Sequence, residues 1–421
     1  MPSPYKIFND PVHGFVEVPR GLLLQLIDHP VVQRLRHIKQ MGMTALVYPG
    51  AVHTRFNHAL GAMHLMTQAL TTLRGKGVAV SDKEFTAAQL AILLHDIGHG
   101  PFSHGLEGKL LPGVHHEEIS LALMERLSEE FRDEMQLAVQ IFRNEYPRGF
   151  FHQLVSSQLD MDRMDYLMRD SFFTGVQEGV VGADRIIKTL QVRHDRLVVE
   201  EKGIYSVEKF IVARRLMYWQ VYLHKTALCA EKMVGRVLDR ARELLHHDPD
   251  GLAVAEPLRS FLRLPPQENL AEQEKAQWLS PPWLDRFVQL TDTDLQFALQ
   301  QWQHADDPVL ADLCQRLMQR RLLKITLQRE PFSPKWLAET RHRFRNQLPL
   351  PDAVGYYVFS GQVSNLPYLD RESPADTPVI PRIDILMKTG ELRPITEAAD
   401  MANLRALAER VTKYYAVRPA Y

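Results

Sequence analysis

The chain has 421 residues, and at roughly 150 residues per domain that length suggests two or three domains and a sizeable core. Hydrophobic residues make up 45% and charged residues 24%, and 50 Lys plus Arg against 51 Asp plus Glu leave a net charge of -1. That balance excludes a disordered chain and a generally basic nucleic-acid binder, while two cysteines, Cys229 and Cys314, exclude a disulfide framework and fit a reducing cytoplasm.

The amino terminus, MPSPYKIFNDPVHG, has neither an apolar signal core nor a twin-arginine pattern. No apolar run reaches the roughly 18 residues of a membrane span, so a soluble cytoplasmic protein is expected. Residues 20 to 41 predict two helices around a turn at Asp28, His29 and Pro30. The stretches 58 to 74, 84 to 97, 116 to 143, 153 to 170 and 206 to 246 are helical in pattern and rich in Leu, Ala, Met, Gln and Glu, so the first 245 residues read as mainly α. Prolines at 249, 257, 265, 266, 281 and 282 mark a connecting region over 246–282. Helices resume at 283 to 302 and 306 to 325. The segments 355 to 361, 381 to 390 and 413 to 419 are β-rich, with a helix-like 402 to 411, which predicts a small C-terminal α+β appendage within a lobe over 283–421.

Histidines are unevenly placed. Eight of the 18, at 53, 58, 64, 95, 99, 104, 115 and 116, fall where even spreading would put about three. Imidazole with carboxylate suits divalent Fe, Mn, Ni or Zn, and a site without thiolate leans towards catalysis rather than a closed structural zinc site. In AAQLAILLHDIGHGPFSH an apolar helix delivers His95 and Asp96 at its end, and Gly98, Gly100 and Pro101 stop it. A lone His-Asp pair is more often structural, but His58 opens another helix upstream. SSQLDMDRMDYLMRD places Asp162, Tyr166 and Asp170 on one face of a third helix. Three helices thus converge in an H…HD…D arrangement.

The strings DPVHGFVEV, VQRLRHIKQMG, PGAVHTRFNHALG, LLHDIGHGPFSH, HHEE and DMDRMDYLMRD, in this order, resemble the HD-domain metal-dependent phosphohydrolases, and within them the deoxynucleoside triphosphate triphosphohydrolases, which include the vertebrate SAM-and-HD-domain enzyme and bacterial relatives. The resemblance implies a mainly α fold with an HD-type helical core over 1–245. It implies His58, His95, Asp96 and Asp162 as metal ligands and a reaction in which water attacks the α-phosphorus, releasing deoxynucleoside and tripolyphosphate, with Mg accompanying the nucleotide. His99 is implied as a proton donor. His116 with Glu107 matches a His-carboxylate pair in which the family has an aspartate. Without that resemblance, His104 and His115 divide evenly between supporting and purely structural roles, and His53 and His64 read as structural.

Arg214, Tyr218, Tyr222 and Lys225 lie at offsets 0, 4, 8 and 11, within about 80° and roughly 16 Å on a straight helix, a rail for phosphates or the polar rim of a core helix. The resemblance assigns Arg214, Tyr222 and Lys225 to substrate, with Arg55 and Arg163 as further phosphate contacts. It assigns Gln40 and Asp170 to the sugar 3′-hydroxyl, and Tyr166 to the place where a 2′-hydroxyl would crowd. Lys6, Ile7, Asp28, Gln33 and Arg36 match a guanine-nucleotide activator pocket between subunits, and Arg320 with Lys324 match the partner's side, which implies a homo-oligomer, a dimer or tetramer. Positions expected to be basic for a second activator carry Gln191 and Glu200, although Lys202 is kept. Two other readings stay open: another HD-type nucleotide phosphohydrolase, monophosphatase or phosphodiesterase, and a non-catalytic nucleotide or single-stranded nucleic-acid binding protein.

Overall fold

The computed structural model describes residues 3–102, 110–111, 113–264, 277–365, 382–400, 404–407 and 410–420. The chain is mainly helical, as the periodicity predicts. It opens with an antiparallel hairpin, β1 (Tyr5–Asp10) and β2 (Gly14–Pro19), whose inner residues Val16 and Val18 are fully buried. Helices α1 (Leu22–Asp28) and α2 (Pro30–Gln33) meet at the expected turn, where His29 Nδ1 accepts the Val31 amide at 3.3 Å. That contact caps α2.

The centre of the core is α3 (Arg55–Gly75), capped by Thr54 and Asn57 and buried along much of its length. It packs against α4 (Asp82–Leu94) and α7 (Met161–Thr174), and α5 (His116–Phe142) lies on α4. A capping box at Ser81 and Glu84 starts α4. The helix ends at Leu94, three residues earlier than the pattern suggests, so His95 and Asp96 stand in the turn beyond it. The expected helix over 153 to 170 is two, α6 (Phe150–Val155) and α7. The reason is Asp160, whose carboxylate accepts the amides of Ser157 and Arg163, both at 2.7 Å, and restarts the helix. Gly175, at φ 73°, closes α7 in the left-handed conformation.

Beyond α8 (Ala183–Thr189) a second hairpin, β3 (Leu190–Arg193) and β4 (Arg196–Glu200), interrupts the expected all-helical stretch. The predicted single helix over 206 to 246 is also divided. It comprises α9 (Ile204–Met217), a π-helical turn at Tyr218–Tyr222, and α10 (Lys225–His247), with His224 capping the restart through Thr226 N at 3.2 Å. Residues 218 to 225 therefore do not follow straight-helix geometry.

In the connecting region α11 (Glu256–Leu262) is a short helix. Where one helix is expected over 283 to 302 there are α12 (Pro281–Phe287) and α13 (Asp292–Trp302), divided by the Thr291–Asp294 capping box. Then α14 (Pro308–Met318) ends before Arg320, at φ 54°, and the chain turns into β5 (Lys324–Gln328) rather than continuing helical to 325. After α15 (Pro334–Arg345), residues 354–357 are helical and the strand expected from 355 starts at Phe359, as β6 (Phe359–Asn365). The strands β7 (Asp384–Leu386), β8 (Leu392–Pro394) and β9 (Val411–Arg418) complete the β-rich end. Two sheets result, β5-β9-β6 and β3-β4-β7-β8, and in the second β7 pairs in parallel with β4. Of the helix expected over 402 to 411, Leu404–Leu407 is helical and much of the rest lies outside the described residues. No helix among the described residues is long and apolar enough to cross a membrane.

Candidate metal centre

The three core helices bring the four expected ligands together. His58 comes from the first turn of α3, His95 and Asp96 from the turn after α4, and Asp162 from the first turn of α7. His58 Nε2 lies 3.1 Å from Asp162 Oδ1 and 3.4 Å from His95 Nε2. His95 Nε2 lies 3.4 Å from Asp162 Oδ1 and 3.3 Å from Asp96 Oδ1. The His58 side chain is fully buried, those of His95 and Asp96 nearly so, and Asp162 is 25% exposed, so the cluster opens on the Asp162 side.

The donor chemistry fits a divalent cation. His58 Nδ1 donates to Asp165 Oδ2 at 2.7 Å and His95 Nδ1 donates to the Ile92 carbonyl at 2.6 Å. In their neutral form both rings therefore turn Nε2 lone pairs towards one point, with carboxylates around it. Burial alone would depress the His58 pKa, but Asp162 and Asp165 outweigh burial and push it up to about 10. Asp96 is buried and Asp162 largely so, which by itself favours their neutral form. Arg55, His95 and His58 reverse this for Asp96, and His58 and His95 reverse it for Asp162. A field that holds a proton so firmly also favours a metal ion. Donor atoms of His58, His95 and Asp162 lie close enough together to hold one ion, and Asp96, beside His95, also groups with His99 and His116.

Beside this cluster, the His99 and His116 rings lie 3.8 Å apart, and His99 Nδ1 is 3.7 Å from Asp96 Oδ1. His116 Nδ1 is 3.4 Å from Glu117 Oε2. Glu107 and His104 lie outside the described residues. Gly98 permits the approach of α5, because an added Cβ would overlap the His116 carbonyl and the Ser120 backbone. Ser120 then holds the turn, donating to the His95 carbonyl at 2.7 Å and accepting the Gly98 amide at 2.9 Å. A second brace comes from α13. Asp292 accepts the Lys39 and Phe102 amides, both at 2.9 Å, and buried Arg34 donates to the Ile97 and Leu290 carbonyls at 3.2 and 2.8 Å.

Arg55 is buried and paired with Asp96, and Arg163 with Asp160. Tyr166 sits in the field of Arg214, Tyr218 and Arg163, and its ring packs edge-on against Tyr222 at 6.0 Å. Tyr222 donates to Asp170 Oδ2 at 2.8 Å, and His53 Nε2 donates to Asp170 Oδ1 at 2.7 Å. Gln40 is joined to the same group through its backbone N–H, which donates to the His53 carbonyl at 3.0 Å, while its side-chain Oε1 is buried and meets no donor among the described residues. His53, read from the sequence as structural, thus supports Asp170. His64 contacts Gln68 at 3.0 Å, and His115 caps α5 with Glu118. Lys225 is exposed at the start of α10, displaced from the straight rail by the π-helical turn.

The positions expected for a nucleotide between subunits are spread over the surface of one chain. Lys6 and Ile7, consecutive on β1 and so on opposite faces of it, are both exposed, and Asp28 is exposed at the end of α1. Arg36 donates to Gln33 Oε1 at 2.8 Å, Arg320 donates to the Leu46 carbonyl at 2.9 Å, and Lys324 begins β5. Glu200, at a position expected to be basic, pairs with Lys76 at 2.7 Å and Lys202 at 2.6 Å. Sequence reasoning missed Asp10, His13, Asp165 and Arg169, a buried polar group behind His58. The i,i+4 spacing of Asp165 and Arg169 was its one local signal.

A family model for the HD domain matches residues 55–170, and one described as the HD associated region matches 181–273. The uncharacterized protein YwfO of Bacillus subtilis is 31% identical over 94% of this chain and 88% of its own length. A crystal structure of a phosphohydrolase from Bacteroides thetaiotaomicron superposes with a TM-score of 0.90 at 46% identity, covering 99% of this chain and 100% of that one. The deoxynucleoside triphosphate triphosphohydrolase SAMHD1 of Danio rerio is 29% identical over 57% of this chain, which spans 45% of that protein.

Proposed function

The chain belongs to the HD-domain phosphohydrolases, and from that premise we propose that it hydrolyses deoxynucleoside triphosphates to deoxynucleoside and tripolyphosphate by water attack at the α-phosphorus. The observation that carries this reading is that one helix, α7, bears Asp162 at the metal centre and, one and two turns on, Tyr166 and Asp170. Metal and sugar recognition are thereby held in fixed relation. His58, His95, Asp96 and Asp162 would hold a divalent Fe, Mn, Ni or Zn ion, which would supply charge neutralisation and lower the pKa of water.

The chain's own groups do the remainder. Arg55, Arg163, Arg214 and Lys225 bind the phosphate oxygens, and Mg accompanies the nucleotide. Gln40, whose buried Oε1 meets no donor among the described residues, and Asp170, held by Tyr222 and His53, receive the 3′-hydroxyl. The Tyr166 ring closes the space where a 2′-hydroxyl would stand. His99, against His116 and Asp96, delivers a proton to the departing 5′-oxygen, with Glu107 orienting His116. Incubation with each dNTP in Mn, Fe or Mg, followed by product separation, tests the reading. Deoxynucleoside with tripolyphosphate supports it. Turnover of monophosphates or cyclic dinucleotides alone, or binding without turnover, would replace it with the other HD-type or non-catalytic reading.

A further inference from the structure

Behind His58 lies a polar group with no role in the chemistry just described. Asp165, fully buried, accepts on Oδ2 from His58 Nδ1 at 2.7 Å and Arg169 Nε at 2.9 Å, and on Oδ1 from His13 Nε2 at 2.6 Å and Arg169 Nη2 at 3.0 Å. Each carboxylate oxygen has two donors. Arg169 is also fully buried, and its Nη1 donates to Asp10 Oδ2 at 2.8 Å. The other Asp10 oxygen accepts the Val12 and His13 amides, both at 2.9 Å, so the turn between β1 and β2 is closed on itself with His13 aimed inward, its side chain 7% exposed. The α3 helix makes room with Gly61, where a Cβ would overlap Asp165 Oδ1 and Arg169 Nη2.

A histidine ligand is aimed by the partner of its other ring nitrogen, and that partner is effective only if it is itself held. Arg169 fixes the plane of the Asp165 carboxylate from one side, and His13 opposes the pull of His58 from the other. We propose that His13, 152 residues away in sequence, is a positioning residue for the metal centre, holding Asp165 so that Asp165 keeps the Nε2 lone pair of His58 on the metal. The inference rests on the metal reading of His58, His95, Asp96 and Asp162. It makes the N-terminal hairpin part of the metal site rather than an ornament of the core.

The test uses the full chain, stripped with a chelator and titrated with Mn(II), free ion being counted by electron paramagnetic resonance, alongside thermal unfolding. Glutamine puts an amide nitrogen where the imidazole Nε2 stands, whereas asparagine stops at the level of Nδ1. His13→Asn is expected to weaken Mn(II) binding by about 10- to 100-fold, the range for partners of metal-ligating histidines, and His13→Gln to restore most of it. Wild-type Mn(II) affinity in His13→Asn, whatever its melting temperature, overturns the inference and leaves the metal reading intact. A wild-type protein that binds no Mn(II) overturns both.

Discussion

The Nε2 atoms of His58 and His95 face each other across 3.4 Å, each ring having committed its Nδ1 to a fixed acceptor. Two lone pairs so opposed repel unless a proton or a metal lies between them. The protein as purified is therefore expected to hold close to one equivalent of Fe, Mn, Ni or Zn. Asp162→Ala, which removes the ligand on the open side, should lose both the metal and the hydrolysis, as checked by metal analysis and rate on the same preparation. Full turnover by that variant would remove the assignment.

Substrate binding and proton delivery separate in kinetics. Lys225 is exposed, and on the proposed reading it meets phosphate through charge alone, so Lys225→Ala should raise KM by about tenfold, a loss of about 1.4 kcal/mol, with kcat nearly unchanged. His116 packs on His99, and on the proposed reading it serves proton transfer, so His116→Ala should lower kcat by about 10²- to 10⁴-fold with a small change in KM. Steady-state rates across dNTP concentration check both.

These assignments differ in how far the sequence announces them. The H…HD…D set is readable because metal ligation demands particular residue types, and glycines and prolines mark where the helices end. The contact that ties the β1–β2 hairpin to α7 is not, because it joins His13 to Asp165 across 152 residues, a relation no periodicity records. His53 looks like core from its neighbours, and only the fold shows its bond to Asp170. The π-helical turn at Tyr218–Tyr222 uses the same residues as an α-helix, so the spacing argument for Arg214 to Lys225 runs straight through it. The TDTD string can be read as a cap, but not as the brace for Lys39 and Phe102 that Asp292 supplies.

A pH effect on stability follows from Glu84. Partial burial favours its neutral form, but hydrogen bonds from Ser81, Arg148 and Tyr146 outweigh that and lower its pKa from 4.5 to about 2. A carboxylate depressed in the folded state stabilises above its unfolded pKa, and the contribution is lost as pH falls through the folded value. The wild type should therefore lose stability relative to Glu84→Gln between about pH 4.5 and about pH 2. Unfolding midpoints of the two proteins across that window measure the difference, and parallel curves would count against the pairing.

Assembly is the next expectation. If a guanine nucleotide bridges chains through Lys6, Ile7, Asp28, Gln33 and Arg36 of one and Arg320 and Lys324 of another, it stabilises only the associated form and must promote association. Light scattering should show a dimer or tetramer that grows with dGTP, and dGTP should raise the rate on dATP. The Glu200 carboxylate, already paired with Lys76 and Lys202, adds negative charge at the position matched to a second activator, so one nucleotide class should suffice. A monomer whose rates ignore every added nucleotide would remove this regulation and leave the catalytic reading standing.

The central claim concerns which bond is broken, and turnover of dATP in oxygen-18 water, with mass analysis of every product, tests it most directly. Attack at the α-phosphorus places the label in tripolyphosphate and leaves the 5′-hydroxyl of deoxyadenosine unlabelled. Accumulation of dADP with labelled phosphate, or of dAMP with pyrophosphate, would contradict it.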